Sequence, residues 1–137
     1  PNLNLLGQRE PGTYGQRCLA DIMHDLERFA MDCGLQLDHM QTNSEGRMVD
    51  AIQQAGTDGV DYIIINPAGY THTSVAIRDA LLAVEIPFVE VHLSAVNSRE
   101  PFRQVNYFSD IAIGVISGFR GESYLLALQA ILNRIEP

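Results

Sequence analysis

The chain has 137 residues, of which 46% are hydrophobic and 19% are charged, and its formal net charge at pH 7 is −8. This length and composition predict one globular domain over residues 1–137 with a real hydrophobic core. The acidic charge and the absence of a Lys/Arg run argue against a nucleic-acid-binding surface, and no apolar run is long enough to span a membrane.

The two cysteines, Cys18 and Cys33, both fall in one predicted helix. That helix separates them by roughly 22 Å, which is too far for a disulfide within the chain. We therefore expect free thiols in a cytoplasmic protein, and no signal peptide is visible. No CxxC, HExxH or EF-hand motif occurs, so the sequence indicates no metal site.

Residues 1–15 are predicted to form a loop, because they are polar and are interrupted by glycine and proline. A long loop of this kind in a compact domain is typical of a lid or a binding loop. The loop has the character of a segment that follows a strand, and we expect that strand to lie upstream of Pro1.

The rest of the chain alternates between helical and strand patterns. Helices are predicted over 16–33, from Asn43 or Ser44 to a turn at 56–59, over 74–84, briefly near 101–104 and over 122–135. Strands are predicted at 35–40, 63–65, 88–93 and 111–117. With the expected upstream strand, this order predicts an α/β fold, a flavodoxin-like doubly wound parallel sheet of five strands in the order 2-1-3-4-5.

Ligands of such sheets bind beyond the carboxyl ends of the strands, near the point where the strand order reverses. Three predicted loops leave this edge, at residues 1–15, 66–73 and 92–99. The sequence therefore predicts a site made of their polar side chains and one residue just beyond them: Asn2, Arg9, Tyr14, Asn66, His72, His92, Ser94, Arg99 and Arg103.

Tyr14 lies five residues after Arg9 in the glycine-rich first loop. An arginine close to a phenol favours the tyrosinate form, which is a base. A tyrosine in a loop is more often a half-buried packing residue with a solvated hydroxyl. The residue pattern leaves both interpretations open.

His92 ends a predicted buried strand, two residues after Glu90, so the two side chains point to the same face. A neighbouring carboxylate fixes the tautomer of a histidine and favours its protonated form, which suits a general acid. The alternative is a buried pair that only stabilises the edge of the sheet.

The remaining candidates also have structural interpretations. Asn66 is suited to satisfying backbone groups of its own loop, and His72 to capping the helix that it precedes. Arg99 and Arg103 are suited either to surface ion pairs or to clamping a carboxylate. Asp79 is expected on an outer helix face, as an ordinary solvated charge unless a second subunit packs there.

Several segments together resemble one family, the type II 3-dehydroquinate dehydratases, in order and spacing over nearly the whole chain. There is no Gly-rich phosphate loop, GxSxG motif or Cys–His pair that favours another enzyme class. The segments that carry the resemblance are residues 1–7, Arg9-Glu10-Pro11 with Tyr14, residues 66–79, Glu90-Val91-His92-Leu93-Ser94, and Arg99-Glu100-Pro101-Phe102-Arg103.

The resemblance implies removal of water from 3-dehydroquinate through an enolate, without a Schiff base, a metal or a cofactor. Tyr14 matches the family's general base, and Arg9 with Arg99 supplies the positive charge that acidifies it. His92 matches the acid that protonates the departing hydroxyl, with Glu90 orienting it. In addition, Asn2 and the loop 66–68 match positions that hold a water against the enolate oxygen.

The resemblance also implies how the substrate is bound. Asn66, His72 and Arg103 match hydroxyl-binding positions, and the backbone of Leu93 and Ser94 matches the carboxylate-binding turn.

Further implications concern assembly and motion. Asp79 matches a residue that reaches the site of a neighbouring subunit in a homododecamer built from trimers. The segment around Arg9 and Tyr14 is expected to act as a lid over the substrate.

Two other classes remain possible from the sequence. A flavodoxin-like module that binds a small ligand without turnover is one, although it has no need of an acidified phenol beside Arg9. An FMN-binding electron carrier is the other, although the first loop lacks a Ser/Thr-rich phosphate cradle and the chain has no tryptophan.

Overall fold

The computed structural model of this protein describes residues 1–8, 10–14 and 16–135, and only the backbone at Pro11 and Tyr14. A parallel sheet of three strands lies at its centre, in the order β1-β2-β3. The strands are β1 Ile63–Ile65, β2 Phe88–His92 and β3 Gly114–Ser117. Because all three run in the same direction, their carboxyl ends meet at one edge, as the sequence predicts.

The helices in the described ranges are α1 Pro11–Tyr14, α2 Leu19–Asp32, α3 Glu45–Asp58, α4 Val75–Val84 and α5 Glu122–Ile135. Short 3₁₀ helices occupy Leu3–Leu5, Ala68–His72, Val96–Ser98 and Pro101–Gln104. Two helix starts have clear local causes. The Ser44 hydroxyl accepts a hydrogen bond from the backbone N–H of Arg47, and the Ser74 hydroxyl accepts one from Ile77.

Two apolar clusters lie on opposite sides of the sheet. Val89, Val91 and Leu93 pack in one cluster with α2 and α5, whereas Phe88 packs in the other with α3 and α4. Successive residues of a strand point to opposite faces, so the two helix pairs must cover opposite faces. This is the doubly wound arrangement that the alternating pattern predicts.

The predicted outer strand at residues 35–40 is wrong: the segment is not paired as a strand with any described part of the chain. A strand is stabilised by hydrogen bonds to a neighbouring strand, and an alternating side-chain pattern does not by itself supply that neighbour. Leu35 and Leu37 nevertheless pack against the first cluster, so the alternation itself is meaningful. Three of the five predicted strands are therefore present in the described structure.

Three smaller expectations also differ. The predicted turn at 56–59 is helical, since α3 continues to Asp58 and ends at Gly59 with φ +71°. A Cβ at Gly56 would lie 3.2 Å from Val84 Cγ1, so this glycine permits close packing of α3 on α4. The last strand begins at Gly114 instead of 111, because the N–H of Ile111 is used in a turn with Phe108. The first loop contains short helical segments of its own.

Candidate active site

The carboxyl end of β2 carries a buried Glu–His pair. Glu90 is fully buried and His92 is 6% exposed, and His92 Nε2 lies 2.5 Å from Glu90 Oε1. The two side chains lie on the face of β2 shared with Phe88, as predicted from their spacing. A histidine held in this way through Nε2 has Nδ1 as the nitrogen that can exchange a proton with a bound molecule.

A third side chain joins this pair from the loop before β3. Asn106 Nδ2 donates a hydrogen bond to Glu90 Oε1 at 2.6 Å, and Asn106 Oδ1 accepts from the N–H groups of Phe108 and Ser109. Glu90 Oε2 is buried, and no donor from the described residues reaches it. Both donors to Glu90 therefore converge on one oxygen, which must be an acceptor.

A cleft of about 400 Å³ opens where the chain leaves β2 and β3. At this cleft, α1 lies close to the turn that follows His92 and to the loop after β3. The residues that line it are Gly12, Thr13, Leu93, Ser94, Ala95, Ser98, Arg99, Gly118 and Arg120. Of the predicted site residues, Leu93, Ser94 and Arg99 line this cleft directly, and His92 immediately precedes them.

The two predicted arginines differ in their surroundings. Arg99 Nη1 donates to the Ser94 hydroxyl at 3.4 Å, and Arg99 Nε lies 3.9 Å from Glu100 Oε2. Arg103 Nε donates to the same Glu100 oxygen at 2.5 Å. A backbone hydrogen bond at Glu100 and the bond from Arg103 lower the pKa of that carboxyl. Arg103 is therefore in the predicted surface ion pair, whereas Arg99 also points at the cleft-lining turn.

Asn66 stands at the end of β1, and both ends of its side-chain amide bond to the protein. Its Oδ1 accepts from the N–H of Ala68, and its Nδ2 donates to the hydroxyl of Tyr124 on α5. Burial raises the pKa of Tyr124 to about 12, and the bond from Asn66 opposes that rise. The structural interpretation of Asn66, satisfying its own loop, thus agrees with these contacts.

His72 links two loops and does not cap α4, a task that Ser74 performs. His72 Nδ1 lies 2.5 Å from the carbonyl oxygen of Val105, and the Thr71 carbonyl accepts from the N–H of Tyr107. These bonds hold the segment 105–107 against the loop that follows β1. The histidine is only half-buried, so one side of its ring stays accessible.

Asp79 is exposed on α4, as predicted. Its neighbour Arg78 pairs with Asp110 and also donates to the carbonyl oxygen of Tyr107.

The amino-terminal candidates are described in part. Asn2 has a left-handed backbone with φ +64°, and its N–H donates to Asn43 Oδ1 at 2.8 Å. Its side chain is exposed. Arg9 and the side chain of Tyr14 lie outside the described residues, but the adjacent Gly12 and Thr13 line the cleft.

Sequence reasoning missed two residues at this edge. Arg120 follows β3, has φ +52°, and donates weakly to the carbonyl oxygen of Gly12 at 3.4 Å. The rule that ligands bind beyond the carboxyl ends of strands applies to this position too and would have found it. Asn106 precedes β3, so no rule of this kind points to it.

The described ranges hold neither a candidate metal site nor a candidate membrane-spanning helix. No group of three His, Cys, Asp or Glu side chains there is placed to hold a metal ion. None of the helices in the same ranges combines the length and apolar character that a membrane crossing requires.

Comparisons with known proteins agree with one family. The family model for class II dehydroquinase matches residues 1–132. The chain is 59% identical to 3-dehydroquinate dehydratase 1 of Pseudomonas aeruginosa over 136 residues, which cover 99% of this chain and 92% of that protein. It is 57% identical to the 3-dehydroquinate dehydratase of Legionella pneumophila, with 99% and 94% covered.

A solved structure gives the same result at the level of the fold. The type II dehydroquinase from Butyrivibrio crossotus superposes with a TM-score of 0.93 at 40% identity, covering 97% of this chain and 92% of that one. This likeness confirms the flavodoxin-like α/β fold. By sequence and by structure, the chain belongs to the class II dehydroquinase family.

Proposed function

We propose that this protein is a type II 3-dehydroquinate dehydratase, which removes water from 3-dehydroquinate to give 3-dehydroshikimate. The observation that carries the proposal is the buried Glu90–His92 pair, which directly precedes the turn at Leu93 and Ser94 that lines the cleft together with Arg99. A protein that only binds a ligand has no need of a buried, carboxylate-oriented imidazole beside its cleft. The named activity of the relatives supports the same conclusion.

The first step is proton removal by Tyr14. Its tyrosinate takes a proton from the carbon next to the ketone, and the electron pair of the C–H bond moves to the ketone oxygen to form an enolate. Arg9 and Arg99 stabilise the tyrosinate, since a phenol near pKa 10 is otherwise protonated at neutral pH. The position of Gly12 and Thr13 at the cleft supports a site for Tyr14 close to Arg99.

The second step is loss of the hydroxyl with help from His92. The enolate reforms its ketone, the new C=C bond forms, and the C–O bond breaks as the imidazolium delivers a proton, so that water leaves. Glu90 holds Nε2 and stabilises the positive imidazole until that proton is transferred. The tyrosine then returns its proton and the histidine regains one, which restores both groups.

Substrate positioning is assigned to the surrounding loops. Asn66, His72 and Arg103 bind the substrate hydroxyls, and the backbone of Leu93 and Ser94 binds its carboxylate. Asn2 and the loop 66–68 hold a water against the enolate oxygen. The Asn66 bond to the N–H of Ala68 supports a fixed shape for this loop before the substrate arrives.

The active form is proposed to be a homo-oligomer, a dodecamer built from trimers, in which Asp79 reaches the site of a neighbouring subunit. Val75, Asp79 and Leu82 are all exposed and recur on one face of α4. Two apolar side chains flanking an exposed carboxylate support a role for this face in subunit contact. Analytical ultracentrifugation of the protein and of Leu82→Glu tests it, because a charge within the contact should lower the sedimentation coefficient.

A cytoplasmic location is also proposed. Cys18 and Cys33 are both free and lie at opposite ends of α2. Unpaired thiols favour a reducing compartment.

Incubation with 3-dehydroquinate, followed by the ultraviolet absorbance of the conjugated product, tests the reaction. We expect turnover by the protein, and for Tyr14→Phe a loss of about 10²–10⁴-fold in kcat with ligand binding retained. Tyr62→Phe, a matched change of a half-buried tyrosine packed on the first cluster, should remain active. Absence of product with the unaltered protein would refute the function, whereas an active Tyr14→Phe would refute only the base.

A further inference from the structure

The carboxylate of Glu90 is held by two donors that come from different parts of the chain. His92 Nε2 is one, and Asn106 Nδ2 is the other, at 2.6 Å from the same oxygen. The residues opposite Glu90 on the adjacent strands are Ile65 and Val115, whose side chains carry no polar group. Among the described side chains, Asn106 is therefore the donor to Glu90 other than His92 itself.

The orientation of the Asn106 amide is determined by its backbone neighbours. Its oxygen accepts from the N–H of Phe108 at 2.7 Å and from the N–H of Ser109 at 3.0 Å. A flipped amide would face those two N–H groups with its own donors and Glu90 with its oxygen, losing three hydrogen bonds. The NH₂ group must therefore point at Glu90. Phe108 is fully buried, which anchors this turn.

The segment that carries Asn106 is also held from the other side. The Tyr107 N–H donates to the carbonyl oxygen of Thr71, and the Val105 carbonyl lies 2.5 Å from His72 Nδ1. Arg78, the nearby cation on α4, forms an ion pair with Asp110. The segment of Asn106 therefore connects the loop after β1 to the Glu90–His92 pair at the end of β2, and hydrogen bonds hold it on both sides.

We propose that Asn106 is a positioning residue for the dehydration, a role that rests on the proposed function. An amide NH₂ donates and cannot accept, so its bond fixes Oε1 of Glu90 as an acceptor. The shared oxygen is thereby kept as an acceptor aimed at Nε2. The proton that His92 delivers then leaves from Nδ1 and is not drawn towards Glu90.

The informative variant is Asn106→Asp. It retains the oxygen that accepts from Phe108 and Ser109, so the turn is preserved, but it replaces the donor to Glu90 by a second acceptor. We expect kcat to fall about 10–100-fold, as for other residues that orient a catalytic group, with KM changed by less than about threefold. Asn133→Asp, the same charge change at an exposed position of α5, is the matched control and should keep both constants.

A double-mutant cycle separates positioning from general damage. In a Glu90→Gln background the carboxylate is already absent, so adding Asn106→Asp should lower kcat by less than about twofold. An equal loss in both backgrounds, or normal kcat in the single variant with an unchanged melting temperature, overturns the proposal. If the unaltered protein does not convert 3-dehydroquinate, the proposed function fails instead, and the two failures are distinguishable.

Discussion

The two faces of β2 are equally buried but carry different kinds of side chain. Val91 on one face and Glu90 on the other are each 0% exposed. Val91 and its neighbours Val89 and Leu93 meet apolar side chains of α2 and α5, whereas Glu90 bonds to His92 and Asn106 on the face that also carries the buried Phe88. The comparison shows that burial alone does not distinguish a stabilising position from a functional one.

The physical difference lies in what burial does to each group. Removing Val91 from water is favourable in itself, at about 25 cal/mol per Å² of apolar surface. Removing the Glu90 charge from water costs free energy, and hydrogen bonds offset that cost only when their geometry is good. We therefore expect Val91 and its neighbours, on the apolar face, to contribute mainly to stability, and Glu90 and His92, on the polar face, to contribute mainly to turnover.

The largest effect should come from the polar face. His92→Asn should lower kcat by about 10²–10⁴-fold, which corresponds to roughly 3–5 kcal/mol, because the departing hydroxyl loses its acid. The melting temperature should also fall, because the buried Glu90 carboxylate loses one of its two described hydrogen-bond donors. Steady-state kinetics with 3-dehydroquinate measures the first and calorimetry the second, with the exposed His39→Asn as control. Retention of more than a tenth of kcat would show that the acid is another group.

Tyr124 of α5 provides a test of the apolar face. It packs among hydrophobic residues, and its hydroxyl accepts a hydrogen bond from Asn66. Its pKa in the folded protein is raised to about 12 by burial, against about 10 in an unfolded chain. A raised pKa means that the phenol supports folding fully below pH 10 and that this support is lost as the pH rises towards 12. The loss is about 3 kcal/mol across that range.

Denaturant titrations at pH 8 and pH 11 of the protein and of Tyr124→Phe measure this contribution. The variant should lose distinctly less stability between the two pH values, because it has no phenol to ionise. Equal losses would mean that Tyr124 does not resist ionisation.

Val91→Ala should destabilise the protein by about 2 kcal/mol, because it removes buried methyl groups and leaves a cavity against α5. The kcat of the folded enzyme should stay within about twofold of the original, since Val91 points away from Glu90 and His92. Chemical denaturation and kinetics on the same samples check both parts. A large fall in kcat with unchanged stability would reverse the assignment of the two faces.

The smallest effect is expected at Ser74, which caps α4 on the side of the sheet that carries the polar face. Ser74→Ala removes the acceptor for the N–H of Ile77 and should cost about 1 kcal/mol of stability. Ser44→Ala, the equivalent change at the exposed cap of α3, is the comparison and should cost no more. A fall in kcat of the folded Ser74→Ala enzyme, beyond what its lost stability explains, would indicate that α4 also positions the loop of His72.

Much of the architecture followed from local patterns. The apolar run Ile63–Ile65 and the segment Phe88–His92 were identified as two strands of a parallel sheet, and Ser74 located the start of α4. The segment at 35–40 shows the limit of that approach, because alternation records which side chains face the core and does not record whether a neighbouring strand is present. Gly56 shows another limit: a glycine suited to a turn is also suited to close helix packing.

For the site, the sequence alone determined that Glu90 and His92 share a face, because side chains two residues apart on a strand point the same way. It also determined that the polar loops lie at one edge, because parallel strands end on the same side of the sheet. Only the tertiary structure decided that Asn106 completes the pair and that Asn66 bonds to Tyr124. These contacts join residues through the paths of loops, and a hydrogen bond between distant segments leaves no periodic trace in the chain.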